Sequence, residues 1–243
     1  MYSVNEGVRI NTLPYNIKCV KIVLLHIREG DDLLQIGDKI IFEGNLISVL
    51  RFLGKGKGGY SYLVQYKEHP AVLKKLHYEK CEVYNFGSDK LEAELRDYET
   101  LRKLQIPMPK LFGFNRDEQY LLKEYIKGPS LAEMLAQQDL PLSYFVQMRK
   151  MCRILYANCL NIDYMPQNFI VKDQKLFYVD FECNEFSEEW DFEHWGIYFW
   201  VNREGMRKFL ETGEYGYLSV DGKPIVNEEL RKRATWALER IGQ

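Results

Sequence analysis

Apolar residues fall in short, strand-length runs over the first half of the chain and at helical spacing in longer stretches beyond it. The runs CVKIVLLHI (19–27) and DKIIFEGNLISVL (38–50), broken by Gly and Asp, predict strands and hairpins. RFLGKGKGGYSYLVQYKEHPAVLKKL (51–76) predicts a β-meander: a glycine-dense turn between two apolar strands, then a second hairpin ending in lysines. In SDKLEAELRDYETLRKL (88–104), Leu91, Leu95, Tyr98, Leu101 and Leu104 recur at spacings of three and four. That pattern predicts an amphipathic helix capped by Ser88 or Asp89 and packed on the meander.

IPMPKLFGFN (106–115) and QYLLKEYIKGPSL (119–131) predict two more strands, ended by Gly128 and Pro129. That break separates a β-rich unit (50–128), which follows an N-terminal β extension (1–49), from a mostly helical unit (129–243). In the last, Phe145, Met148, Cys152, Leu155 and Cys159 mark one face of a helix. A closing helix runs over NEELRKRATWALERIG (227–242), with Asn227 as cap and Gly242 as stop.

Composition narrows the class. The chain has 243 residues, 46% hydrophobic and 28% charged, with a formal charge of −2. It is long enough to bury a core, and its scattered basic residues argue against nucleic-acid and membrane partners. The run Arg231–Arg233 reads as a solvated helix face. Five cysteines without a C-x-x-C spacing disfavour a disulfide framework and a zinc site, and a reducing, cytoplasmic setting is expected. Neither a signal peptide nor a membrane-spanning segment is expected.

Several residues could carry chemistry. Gly54, Gly56 and Gly59 satisfy G-x-G-x-x-G, but the motif joins two strands and no helix follows, so it fails as a dinucleotide fingerprint. A glycine hairpin approaching phosphates with its backbone N–H groups is one alternative, and a merely flexible turn is the other. Lys74 lies mid-strand, where an ammonium is costly unless it meets anions. Glu94 borders the apolar stripe of its helix and needs a cationic partner, for which Lys74 is the candidate and Asp97 the competing acid. Either charge on its own could equally be solvent-exposed.

LNIDYMPQNFIVKDQKLFYVDFE (160–182) sets two aspartates, an asparagine and a proline among strand-like runs. Taken in order, the glycine hairpin, strand lysine, helix acid, KEYIKG, Asp163, Asn168 and Asp180 resemble the protein-kinase-like superfamily over about residues 50–200. DYMPQN matches the catalytic-loop spacing D-x-x-x-x-N, and VDFE stands where that superfamily has D-F-G. The resemblance implies a bilobal α+β fold with an antiparallel β N-lobe, one long helix and a small helical C-lobe.

It also implies an ATP-dependent phosphotransferase that uses Mg²⁺. Asp163 would accept the proton of the acceptor hydroxyl, and Asn168 and Asp180 would hold the metal. Lys74, steadied by Glu94, would contact the phosphates under a loop containing Gly54, Gly56, Gly58 and Gly59. Val72 would line the nucleotide pocket, and the backbone of Glu124 and Ile126 would meet the adenine edge. Asp191, five residues before Gly196, would brace the catalytic loop or else simply cap its own helix. The acceptor would be a protein Ser or Thr, the chain's own included. A small hydroxylated molecule of the choline or aminoglycoside kind is the alternative, and a pseudokinase scaffold is the rival from another class.

Departures from the superfamily pattern point to a small atypical member of the RIO or Bud32 type. Asn161 and Ile162 replace the usual His-Arg, Met165 replaces a lysine, and Glu182 replaces the glycine of D-F-G. Lys123 occupies the gatekeeper position, where an apolar residue is usual. Eleven residues separate Asp180 from Asp191, leaving no room for a long activation segment.

Overall fold

The computed structural model describes residues 33–56, 58–78 and 89–242. The strand expected at 19–27 and the alternative cap Ser88 lie outside the described residues, as does most of the proposed extension. The fold is mixed α+β: a curled, six-stranded antiparallel sheet and several helices.

The sheet contains β1 (Lys39–Phe42), β2 (Asn45–Lys55), β3 (Gly59–Tyr66) and β4 (His69–Leu76). Helix α1 (Lys90–Lys103) follows, then β5 (Leu111–Asn115) and β6 (Tyr120–Glu124), giving the order β1-β2-β3-β4-β6-β5. Alternation along the strands sorts side chains to two faces. Ile47, Val49, Tyr62, Val64, Ala71, Leu73 and Leu122 form one apolar cluster. The opposite face buries Leu76 and Leu121 against Leu91 and Tyr98 of α1 and against Phe181. Each fully buried leucine there contributes about 1.5–3 kcal/mol. Because β4 and β6 pair with Lys74 opposite Leu121 and Val72 opposite Lys123, both lysines lie on the α1 face.

Asp89 caps α1 by accepting from the Glu92 N–H at 3.1 Å. The predicted apolar stripe of α1 is its buried face. The remainder comprises α2 (Leu131–Gln137), α3 (Leu142–Tyr156), β7 (Leu160–Ile162), β8 (Phe169–Lys172), β9 (Lys175–Tyr178) and β10 (Cys183–Glu185). After a π-helical turn at Phe192–Gly196 come α4 (Ile197–Val201), α5 (Arg203–Thr212), β11 (Ser219–Val220), β12 (Lys223–Pro224) and α6 (Glu228–Gly242). Met148, Tyr164, Phe169, Phe192 and Trp200 lie at the centre of their shared core. Among the described residues no helix is long and apolar enough to cross a membrane.

Two boundaries differ from expectation. Cys159 lies beyond the end of α3 with a left-handed backbone (φ 55) and is exposed, so it does not extend the apolar face. Gly242 is the last residue of α6 rather than its stop, while Asn227 does cap the helix through the Leu230 N–H at 2.8 Å.

Candidate functional site

Strand β4 carries Lys74 to the α1 face, and α1 presents Glu94 one turn before Tyr98. The ammonium of Lys74 lies 2.5 Å from Glu94 Oε1 and 3.3 Å from Asp180 Oδ1, a residue 106 positions further along the chain. Lys74 and Glu94 are nearly buried, whereas the Asp180 side chain keeps 28% of its surface exposed. Burial alone would depress the Lys74 pKa, but Asp180 and Glu94 together raise it above the ordinary lysine value. Burial opposes ionisation of Asp180 in the same way, yet Lys74 and Lys123 hold its carboxyl below the usual range. Lys74 and Asp180 are therefore both charged at neutral pH. Glu94 Oε2 is buried without a hydrogen-bond partner.

Asp97, the competing acid, points elsewhere. It accepts the Cys183 N–H at 3.4 Å and pairs with Arg96, and burial raises its pKa. The choice falls one helical turn earlier because Glu94 borders the stripe on the side facing β4.

The glycine hairpin joins β2 to β3 with Lys55 opposite Tyr60 and Gly54 opposite Ser61, closed by Gly56 N–H donating to Gly59 O at 2.9 Å. Gly58 lies beside Glu94: a Cβ there would sit 3.8 Å from Oε1. The turn thus lies at the Lys74–Glu94 pair. Gly59 is required by close packing, since a Cβ there would come within 2.7 Å of the Lys75 carbonyl, whereas Gly54 faces open space.

Asp163 follows β7, and its Oδ1 accepts the Met165 N–H at 3.0 Å. Asn168 ends a short 3₁₀ turn after Pro166. Its Nδ2 approaches the Asp163 carbonyl at 3.5 Å, and its own carbonyl accepts the Val179 N–H at 2.9 Å. These bonds put Asp163, Asn168 and Asp180 in one neighbourhood. Val72 shares the face of Lys74. Glu124 N–H donates to Lys110 O at 2.8 Å, so an incoming base would have to use the Glu124 carbonyl rather than its N–H. Ile126 is buried just beyond β6.

Asp191 does not reach the 161–168 loop. Its carboxylate accepts the His194 N–H at 2.7 Å and meets the His194 ring, capping the following π-helical turn. The loop is braced instead by Trp200, fully buried, whose indole N–H donates to Tyr164 O at 2.7 Å. Gly196 lets that helical segment approach: a Cβ there would stand 2.6 Å from Tyr164 Cβ. The segment after Asp180 is tied to the same loop. β10 pairs with β7, Ile162 opposite Cys183, and Asn161 Nδ2 donates to Ser187 O at 2.9 Å.

Lys123 is buried, with only 6% of its surface accessible. Its ammonium donates to Val179 O at 2.6 Å and lies 4.5 Å from the centre of the Phe181 ring.

The donor chemistry here would suit a divalent metal only if a bound molecule supplied further ligands. Among the described residues no group of three or more His, Cys, Asp or Glu could hold a metal alone. Asp180 and Asn168 offer one carboxylate and one amide oxygen, the small hard-oxygen set that Mg²⁺ takes when phosphates and water complete its shell. A separate cleft of about 530 Å³, lined by Trp190, His194, Trp195 and Lys223 among others, contains none of these residues. In comparison with known proteins, no family model matches the chain and no curated protein is significantly similar to it.

Proposed function

We propose that the protein is a small, atypical phosphotransferase with a bilobal kinase-like fold, moving the γ-phosphate of Mg-ATP to a hydroxyl. The observation that carries this reading is the Lys74 ammonium held between Glu94 and Asp180 beside a glycine hairpin. Phosphoryl transfer asks a protein mainly for positioning and charge neutralisation, and a buried lysine fixed by two acids supplies a rigid cation.

In this reading Lys74 binds the α- and β-phosphates, and the hairpin N–H groups of Gly54, Gly56, Gly58 and Gly59 cover them. Asp180 and Asn168 would hold the magnesium, which would supply neutralisation of the phosphate charge. Asp163, fixed by the Met165 N–H, orients the acceptor hydroxyl and takes its proton as the oxygen attacks the γ-phosphorus. The bond from that phosphorus to the β-phosphate oxygen breaks, leaving ADP and a phosphorylated acceptor.

A Ser or Thr of a protein, the chain's own included, is the proposed acceptor. A compact hydroxylated metabolite is the second reading, favoured by the segment after Asp180, which folds back as β10 against β7 and forms no long platform. Thermal shift with ATP, with and without Mg²⁺, followed by ADP release, tests the proposal. A shift of about 2.7 kcal/mol is expected at ligand a hundredfold above its dissociation constant. Binding without turnover by any hydroxyl acceptor would make the protein a scaffold, and no binding would refute the reading.

A further inference from the structure

A buried ammonium is costly, and among the described residues no carboxylate pairs directly with Lys123 to offset that cost. Its two close partners both belong to the segment that carries Asp180: the Val179 carbonyl on one side and the Phe181 ring on the other. Phe181 is fully buried and packs on Tyr98 of α1 at 4.7 Å between centroids. Lys74, diagonally across the β4–β6 ladder on the same face, contacts the residue between them. Two lysines of one sheet face therefore hold three consecutive residues: Lys74 takes the side chain of Asp180, and Lys123 takes the backbone before it and the ring after it.

We propose that Lys123 is a positioning residue that clamps Val179–Phe181 to the sheet so that the Asp180 carboxylate stays turned toward Lys74 and the metal position. The inference rests on the reading of Asp180 as a metal ligand for its consequence, but the clamp itself exists without ligand. Val72 and Leu121 flank Lys123 on the sheet face, so a leucine or methionine would satisfy packing alone. What an apolar side chain cannot supply is the donor to Val179 O and the cation on Phe181.

Lys123→Met separates the two roles. Because it removes a buried charge, its melting temperature should equal or exceed that of the parent. Its Phe181 amide, which donates to Asp180 Oδ1 at 3.0 Å, should nevertheless exchange with solvent about tenfold faster in ligand-free protein, with α1 and β2–β4 amides unchanged. In the presence of ATP, the Mg²⁺ concentration giving half the thermal shift should rise about fivefold, with the metal-free nucleotide shift unaltered. Equal Phe181 exchange in folded Lys123→Met overturns the clamp. Faster exchange with an unaltered Mg²⁺ requirement overturns its positioning role. If the parent shows no magnesium-dependent nucleotide shift, the phosphotransferase reading fails while the exchange comparison still decides the clamp. Should Lys123→Met not fold, Lys123→Gln, which removes the charge and shortens the donor, decides by the same exchange measurement, and rates equal to the parent overturn the proposal.

Discussion

Trp200 donates its indole N–H to the Tyr164 carbonyl from a fully buried position, fixing the loop that follows Asp163 from beneath. Trp200→Phe keeps an aromatic body but leaves that carbonyl unpartnered, which costs about 1–3 kcal/mol. Denaturant unfolding should show this loss in midpoint with an unchanged slope. On the proposed phosphotransferase reading, turnover should fall more than nucleotide affinity, because the loop would orient the acceptor side of the site.

Lys74 and Glu94 should behave as one unit. Removing one partner of a buried pair costs about 3–5 kcal/mol, so Lys74→Met, which strands two carboxylates, should weaken ATP use strongly. Glu94→Gln should be milder, since Asp180 still balances the lysine. Once Lys74 is methionine, the further effect of Glu94→Gln should shrink by about 0.5–3 kcal/mol. A four-member kinetic cycle measures this coupling; additive effects would mean that the contact has no functional role. The same cycle with Asp97→Asn should show none.

Stability should rise with pH through the Lys123 ionisation. Burial, assisted by Lys74 and opposed by Asp180 and Glu94, lowers the Lys123 pKa from 10.5 to about 8. Between those values the unfolded chain binds more protons than the folded one, so folding gains as pH rises. The gain is on the order of 3 kcal/mol at most and should be absent in Lys123→Met. Unfolding free energies of both proteins from pH 7 to 10.5 check this; parallel curves would refute it.

The segment after Asp180 should need no phosphorylation to assemble. It is already held by the β7–β10 ladder and by Asn161 donating to the Ser187 carbonyl, a backbone group that Ser187→Ala retains. Phosphatase-treated protein and Ser187→Ala should both show the parental initial rate without a lag. Asn161→Ala should instead loosen residues 183–187, visible as faster amide exchange there. A lag abolished by preincubation with ATP would count against this.

Helix α1 and its choice of inward acid were legible because spacing alone sets which side chains share a face. The β2–β4 meander was legible for the same reason at period two. Lys123 stood out as an unusual gatekeeper, but its partners Val179 and Phe181 were not legible, because β6 is buried on both faces and a lysine in a strand ordinarily signals water. Helix α2 was missed although its signal was present: Ser130 and Glu133 form a capping box directly after the Gly-Pro break. Helix α4, IYFWV, reads as a strand by propensity and is helical because Ile197, Phe199, Trp200 and Val201 are buried in the shared core. The bracing role given to Asp191 failed because a local N-cap satisfies the carboxylate three residues away.

The span of the Lys74–Asp180 contact carries a consequence for how the chain matures. Strands β1 to β4 pair in sequence through short turns, so their closure is entropically cheap and fast. The contact to Asp180 closes 106 residues and must wait for the second half of the chain. During synthesis the emerging sheet therefore holds Lys74 with one acid in place of two. Pulse-labelled exchange during refolding should protect β2–β4 before Phe181, and simultaneous protection would contradict this order. A chain halted before residue 180 would leave Lys74 with Glu94 as its one acidic partner of the two.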